Sequence, residues 1–150
     1  FGYNAILGAM ARQLRWREAW DLVEEMADSL AAPPDLFSYS HLINACVRSG
    51  RPIQARAALE RMLSAGVVPN VQVYSTVMAG YGRRGLYTEA QTLLRDMQAR
   101  GMRPNRYTLA SLAEALLNAG RAEEAIQVLE RVDRMPAGPK EDPGVVPSQW

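Results

Sequence analysis

Four sets of side chains recur in this chain at matched spacings. Asp35, Asn70 and Asn105 each follow a proline, at Pro34, Pro69 and Pro104. Asn4, Ser40 and Ser75 each follow a tyrosine, at Tyr3, Tyr39 and Tyr74. Arg12, Arg48 and Arg83 each lie eight residues beyond those polar residues. Phe1, Phe37 and Tyr107 stand two residues before the tyrosine position, and Gln72 fills that place once. Carboxylate, amide and hydroxyl groups can hydrogen-bond a planar base edge. Guanidinium groups in a row can hold phosphate oxygens at regular intervals. Aromatic rings beside polar groups on a basic face are what a single nucleic-acid strand requires. Each set also has a plainer account. Asp and Asn after Pro suit helix N-caps, arginines at a helix end favour its negative pole, and aromatics serve packing between repeats.

The elements that position these residues form a repeat. Gly66-Val67-Val68-Pro69-Asn70 returns thirty-five residues later as Gly101-Met102-Arg103-Pro104-Asn105, and Pro33-Pro34-Asp35 is an earlier copy. Each copy is a helix exit, a stop and a new entry: Gly66 and Gly101 for the left-handed exit, proline to forbid continuation, Asp or Asn for the next cap. Four units follow, residues 1–35, 36–70, 71–105 and 106–135, each of two helices. Apolar stripes mark the first helices: Tyr3, Ile6, Leu7 and Met10; Tyr39, Leu42, Ile43 and Cys46; Tyr74, Val77, Met78 and Tyr81; Leu109, Leu112, Ala113 and Leu116. Stripes on the second helices run through Ala19, Leu22, Val23 and Met26, and in the last unit through Ala125, Val128, Leu129 and Val132. A small residue recurs inside each second helix, at Ala19, Ala55, Ala90 and Ala125, where helices approach closely. The turn within a unit carries Gly50, Gly85 and Gly120; Leu14 holds that place in the first unit, whose turn is expected to differ. The fold class is all-α, a right-handed α-solenoid in which one helix pair cannot bury its own stripe and neighbours share the core.

Charge divides between the two sets of helices. First helices hold Arg12, Arg48, Arg83, Arg84 and Arg106 against one acid, Glu114, while the second helices and their turns hold most of the acids. A net charge of +1 therefore conceals one face that is basic by composition. Cys46 is the one cysteine, so no internal disulfide forms. His41 is also alone, in the first helix of the second unit, where it packs or faces the groove. No nucleophile–base pair, phosphate loop or Cys/His cluster is present, so no catalytic residue, metal or cofactor is expected and the chain is not read as an enzyme. No apolar run approaches a membrane span. Residues 136–150, rich in Pro and Gly, read as a disordered tail or linker.

These marks together resemble the pentatricopeptide repeat proteins, in P-type-like repeats. The resemblance rests on the thirty-five-residue period, the Tyr-Asn or Tyr-Ser entry, Gly50-Arg51 and Gly120-Arg121, Glu18-Ala19, Glu89-Ala90 and Glu124-Ala125, the Met26, Met62 and Met97 endings, and the Gly-x-x-Pro-Asn junction. It covers residues 1–135. Tetratricopeptide repeats, with a period of about thirty-four, carry a Trp/Leu-Gly/Tyr signature absent here.

The resemblance implies single-stranded RNA binding in a chloroplast or mitochondrion, one base per repeat. It implies base selection by Asn4 with Asp35, Ser40 with Asn70 and Ser75 with Asn105, resembling pairs for uridine, adenine and adenine, hence a U-A-A core. It places Phe1, Phe37, Gln72 and Tyr107 against the bases, and Arg12, Arg48 and Arg83 on phosphates. The fourth unit departs, with Leu109, Ala110 and Asn118 in place of tyrosine, selector and arginine, and is expected to cap the array without reading a base. The function expected is sequence-selective RNA binding in support of organellar RNA processing, splicing, stabilisation or translation. The alternative is a structural or docking subunit of a large organellar ribonucleoprotein such as a ribosome, gripping a protein or RNA partner without reading sequence.

Overall fold

The computed structural model describes residues 2–29 and 31–135; Phe1 and the 136–150 segment lie outside them. Eight helices fill the described residues: α1 (Gly2–Arg12), α2 (Trp16–Ala27), α3 (Leu36–Arg48), α4 (Pro52–Ser64), α5 (Val71–Arg84), α6 (Tyr87–Ala99), α7 (Arg106–Asn118) and α8 (Ala122–Arg134). They form an α-solenoid. None is long and apolar enough to cross a membrane.

The caps separate the two kinds of helix. Asp35 Oδ1 accepts the Ser38 amide at 2.9 Å, and Ser38 Oγ accepts the Asp35 amide at 3.1 Å, a reciprocal capping box. Asn70 Oδ1 accepts from Val73 N at 2.9 Å and Asn105 Oδ1 from Thr108 N at 3.0 Å. The second helices start at Arg15, Arg51, Leu86 and Arg121 with no side-chain cap.

One turn closes each helix pair. Arg51 N donates to Cys46 O, Leu86 N to Tyr81 O and Arg121 N to Leu116 O, at 2.8, 3.0 and 2.8 Å. Gly50, Gly85 and Gly120 carry the left-handed backbone this turn demands, with φ of 72°, 67° and 80°. The expected difference at Leu14 is not one of geometry. Arg15 N donates to Met10 O at 2.9 Å in the same arrangement, and Leu14 adopts φ 58° despite its side chain. The first turn is thus the same turn under steric strain.

The first helices pack on one another in sequence, α1 on α3, α3 on α5 and α5 on α7. Each of α2, α4 and α6 packs on its own partner and on the first helix of the next unit, but not on another second helix. The first helices are therefore the closely spaced inner layer, and the second helices the spread outer one. Ala19, Ala55, Ala90 and Ala125 are fully buried where the layers meet. Long side chains bridge the outer layer: Arg61 reaches Glu24, and Arg56 Nη1 stands 3.7 Å from Asp96 Oδ2.

The ends of the array differ from expectation. Tyr3 and Ile6, placed in the first stripe, are 43% and 48% exposed, and Leu129 of the last stripe is 39% exposed. The stripe of a solenoid helix is wide enough for two neighbours, and α1 and α8 each meet described helices on one side only. Cys46 is buried, which pushes its thiol up to about 12 and leaves it unreactive.

Candidate nucleic-acid interface

The inner layer presents the recurring polar residues along one strip. Asn4, Ser40 and Ser75 sit in the first turns of α1, α3 and α5, and Arg12, Arg48 and Arg83 in their last turns, exposed. Phe37 and Tyr107 are 64% and 63% exposed, and Gln72 between them is also exposed. Large aromatic rings at that exposure are not core residues. The packing account of these two therefore fails, whereas the capping account of Asp35, Asn70 and Asn105 holds.

Capping fixes how those three residues face outward. Asp35 Oδ1 is held by the Ser38 amide and hydroxyl, the latter at 2.9 Å, and these bonds, the backbone one foremost, keep its carboxyl below the ordinary value of 3.8. It is thus an anion fixed at the helix start by these bonds. Asn70 and Asn105 use their oxygen inward on the cap, so each turns its Nδ2 donor outward. The two kinds of cap offer opposite polarity, an acceptor at Asp35 and a donor at each Asn.

The residues paired across the first junction meet. Asn4 Nδ2 donates to Asp35 Oδ1 at 3.4 Å, and the single Ser38 hydroxyl proton is shared between Asn4 Oδ1, 2.8 Å from Oγ, and Asp35 Oδ1, 2.9 Å from it. Thirty-one residues apart in sequence, the two are fixed by one network. At the later junctions Ser40 Oγ bonds to its own helix at Leu36 O, 2.7 Å, and Ser75 Oγ is buried without a partner. Neither serine reaches its junction Asn directly.

The groove is uneven along its length. Between α1 and α3 a space of about 450 Å³ is lined by Asn4, Ala5, Gly8, Arg12, Phe37 and His41. Between α3 and α5 only about 30 Å³ remains, against Ser40, Ile43, Gln72, Val73 and Thr76. The sequence assigned Gly8 no role; His41, expected to pack or face the groove, lines it. A glycine inside α1, in register with Asn44 and Ala79, was the signal that a side chain is missing from this wall. At the far end α5 and α7 make the most extensive interface of the molecule. Asn118, in the arginine register, donates Nδ2 to Gly82 O at 2.9 Å and stitches the two helices together.

A stack of capped helix pairs, with a basic, polar inner strip, defines a helical-repeat protein. The model described as PPR repeat family matches residues 34–80 and 69–118, and one described as PPR repeat matches residues 1–29. The chain belongs to the PPR repeat family. A tetratricopeptide repeat model matches residues 107–131, the unit whose selector and arginine are replaced. A chloroplastic pentatricopeptide repeat-containing protein of Arabidopsis thaliana is 25% identical over 94% of this chain and 23% of its own length. Pentatricopeptide repeat-containing protein 10, chloroplastic, of Zea mays is 34% identical over 71% of this chain and 14% of its own length. A mitochondrial relative from Arabidopsis thaliana is 26% identical over 66% of this chain and 14% of its own. These names carry the organellar localisation expected from the sequence. The chain spans less than a quarter of the length of the curated relatives it matches. The crystal structure of the pentatricopeptide repeat protein PPR10 from maize superposes with TM-score 0.78 at 27% identity, over 87% of this chain and 19% of that one. The same protein in complex with an 18-nt psaJ RNA element gives 0.77 at 27% identity over the same shares.

Proposed function

We propose that this array binds single-stranded RNA along its inner layer and selects a base at each of three junctions, with U-A-A as the core. The observation that carries the reading is the Asn4–Asp35 contact at 3.4 Å, which joins two residues from successive first helices at one point of the groove. Asp35, ionised, accepts the N–H of a uracil edge. Asn70 and Asn105 turn an amide donor outward, the polarity that the ring nitrogen on adenine's pairing edge accepts. Phe37, Gln72 and Tyr107, with Phe1, lie against the bases. Arg12, Arg48 and Arg83 take the phosphates. That PPR10, to which 87% of this chain but only 19% of PPR10 corresponds, is solved with RNA supports the same ligand class. The role is service to an organellar transcript: processing, splicing, stabilisation or translation.

Fluorescence anisotropy with RNAs that differ only within the U-A-A core tests this. Several-fold preference for U-A-A is expected, and Ser75→Asn with Asn105→Asp should move the third position from adenine to uridine. Binding indifferent to sequence would overturn base selection. A second reading, a docking subunit of an organellar ribonucleoprotein, is favoured by the narrow second groove and by the buried Ser75 hydroxyl. Under it the double substitution leaves the sequence preference unchanged.

A further inference from the structure

The arginine row is not equivalent along its length, because what faces each arginine differs. Across the first junction, His41 of α3 and Arg12 of α1 converge over the bare backbone of Gly8. A Cβ on Gly8 would stand 3.3 Å from His41 Cε1, 3.6 Å from its Nδ1 and 3.6 Å from Arg12 Nη1. Both side chains line the space between α1 and α3, with Phe37 one turn before His41 on α3. Among the described residues His41 makes no side-chain hydrogen bond and Arg12 has no carboxylate partner. An imidazole and a guanidinium from two helices therefore line one open space.

The same register elsewhere is filled differently. Thr76 occupies the place of His41 beside Arg48, but its Oγ1 donates to Gln72 O of its own helix at 2.9 Å, and Asn44 stands where Gly8 would be. Ser111 occupies it beside Arg83, and there Glu114 brings a carboxylate against Gly82, the residue before Arg83. An anion meets two free donors at the first junction, one at the second, and a donor with an opposing charge at the third.

We propose that His41 and Arg12 together clamp one phosphodiester of the bound strand, the linkage between the bases read by the first and second repeats. Gly8 is the positioning residue that leaves room for the imidazole. The clamp rests on the RNA reading above and adds to it an anchor point: one linkage held by two donors, from which the strand is laid along the array.

The test needs no variant in its first arm. In an RNA carrying U-A-A, each linkage in turn is replaced by an uncharged methylphosphonate, and binding to the full chain is measured. Neutralising the U-A linkage should weaken binding about threefold to tenfold more than neutralising the A-A linkage, as expected for loss of an additional hydrogen bond. In His41→Ala that excess should vanish, with the A-A effect unchanged. Gly8→Val, which displaces the imidazole from the opposite helix, should abolish the excess equally, so the outcome does not hang on one variant's folding. Equal sensitivity of both linkages in the wild-type chain, or an excess that survives in both variants, would overturn the clamp while leaving base selection intact. No binding of any of these RNAs would overturn both.

Discussion

Asp35 carries a structural task and a proposed recognition task on one carboxylate. Its cap bonds to Ser38 start α3, so Asp35→Ala should lower stability by about 1 kcal/mol in denaturant unfolding. Because its carboxyl is held below 3.8, the ionised form is favoured by folding. That stabilisation is complete above the unfolded value and is lost as pH falls through the lower, folded one. Asp35→Asn keeps a cap but has no such proton, so its stability should decline less than the wild type's as pH falls below about 4. Leu14 offers the opposite case. It holds φ 58° where the other repeats use glycine, and it is exposed. Leu14→Gly should raise stability by about 0.5–1 kcal/mol, read as an upward shift in the thermal midpoint. The irregularity of that turn was legible as a missing glycine; that the chain keeps the turn and bears the strain was not, since the six-to-one hydrogen bond depends on backbone geometry rather than residue type.

At the scale of the helix, the sequence period placed a helix pair in each unit, because a proline and a capping residue coincide at every junction, with glycine added at Gly66 and Gly101. Burial followed from the stripes wherever a helix has neighbours on both sides. It failed for Tyr3, Ile6 and Leu129, since a stripe records the faces built for contact and not how many contacts are present. The candidate site was legible as a set of rows at matched register positions of the first helices. Its unevenness was not, because groove width at one junction depends on small residues of the opposite helix, Ala5 and Gly8, and on which hydroxyls turn back to their own carbonyls. Gly82 marks the tightest approach. A Cβ there would meet Glu114 Oε1 at 2.7 Å and the Ser111 backbone carbonyl at 2.8 Å. Gly82→Ala must push α7 off α5 and should cost about 1–3 kcal/mol, most visible as earlier hydrogen exchange in α7 and α8.

Across the whole molecule, charge is sorted by layer rather than by sum. If each arginine of the row displaces counterions from the strand, replacing Arg12, Arg48 and Arg83 with alanine should flatten the dependence of log affinity on log salt by about 0.7 per residue. A slope that stays unchanged would remove these residues from the phosphate path. The outer layer answers to salt for another reason. Its helices do not pack backbone to backbone; side chains tie them, Arg61 to Glu24 and Arg56 to Asp96 by charge, with Arg51 over the Trp16 ring and Arg121 on Tyr87 at the helix starts. The inner layer resists bending because its helices are in van der Waals contact, whereas ionic ties at the rim weaken as electrolyte is added. Mechanically the molecule is a coil spring with a hard inside and a soft outside, so its curvature, and with it the rise from one repeat to the next, should relax as ionic strength increases. Small-angle scattering of the free chain from low to high salt would register this as a change in radius of gyration without loss of helix.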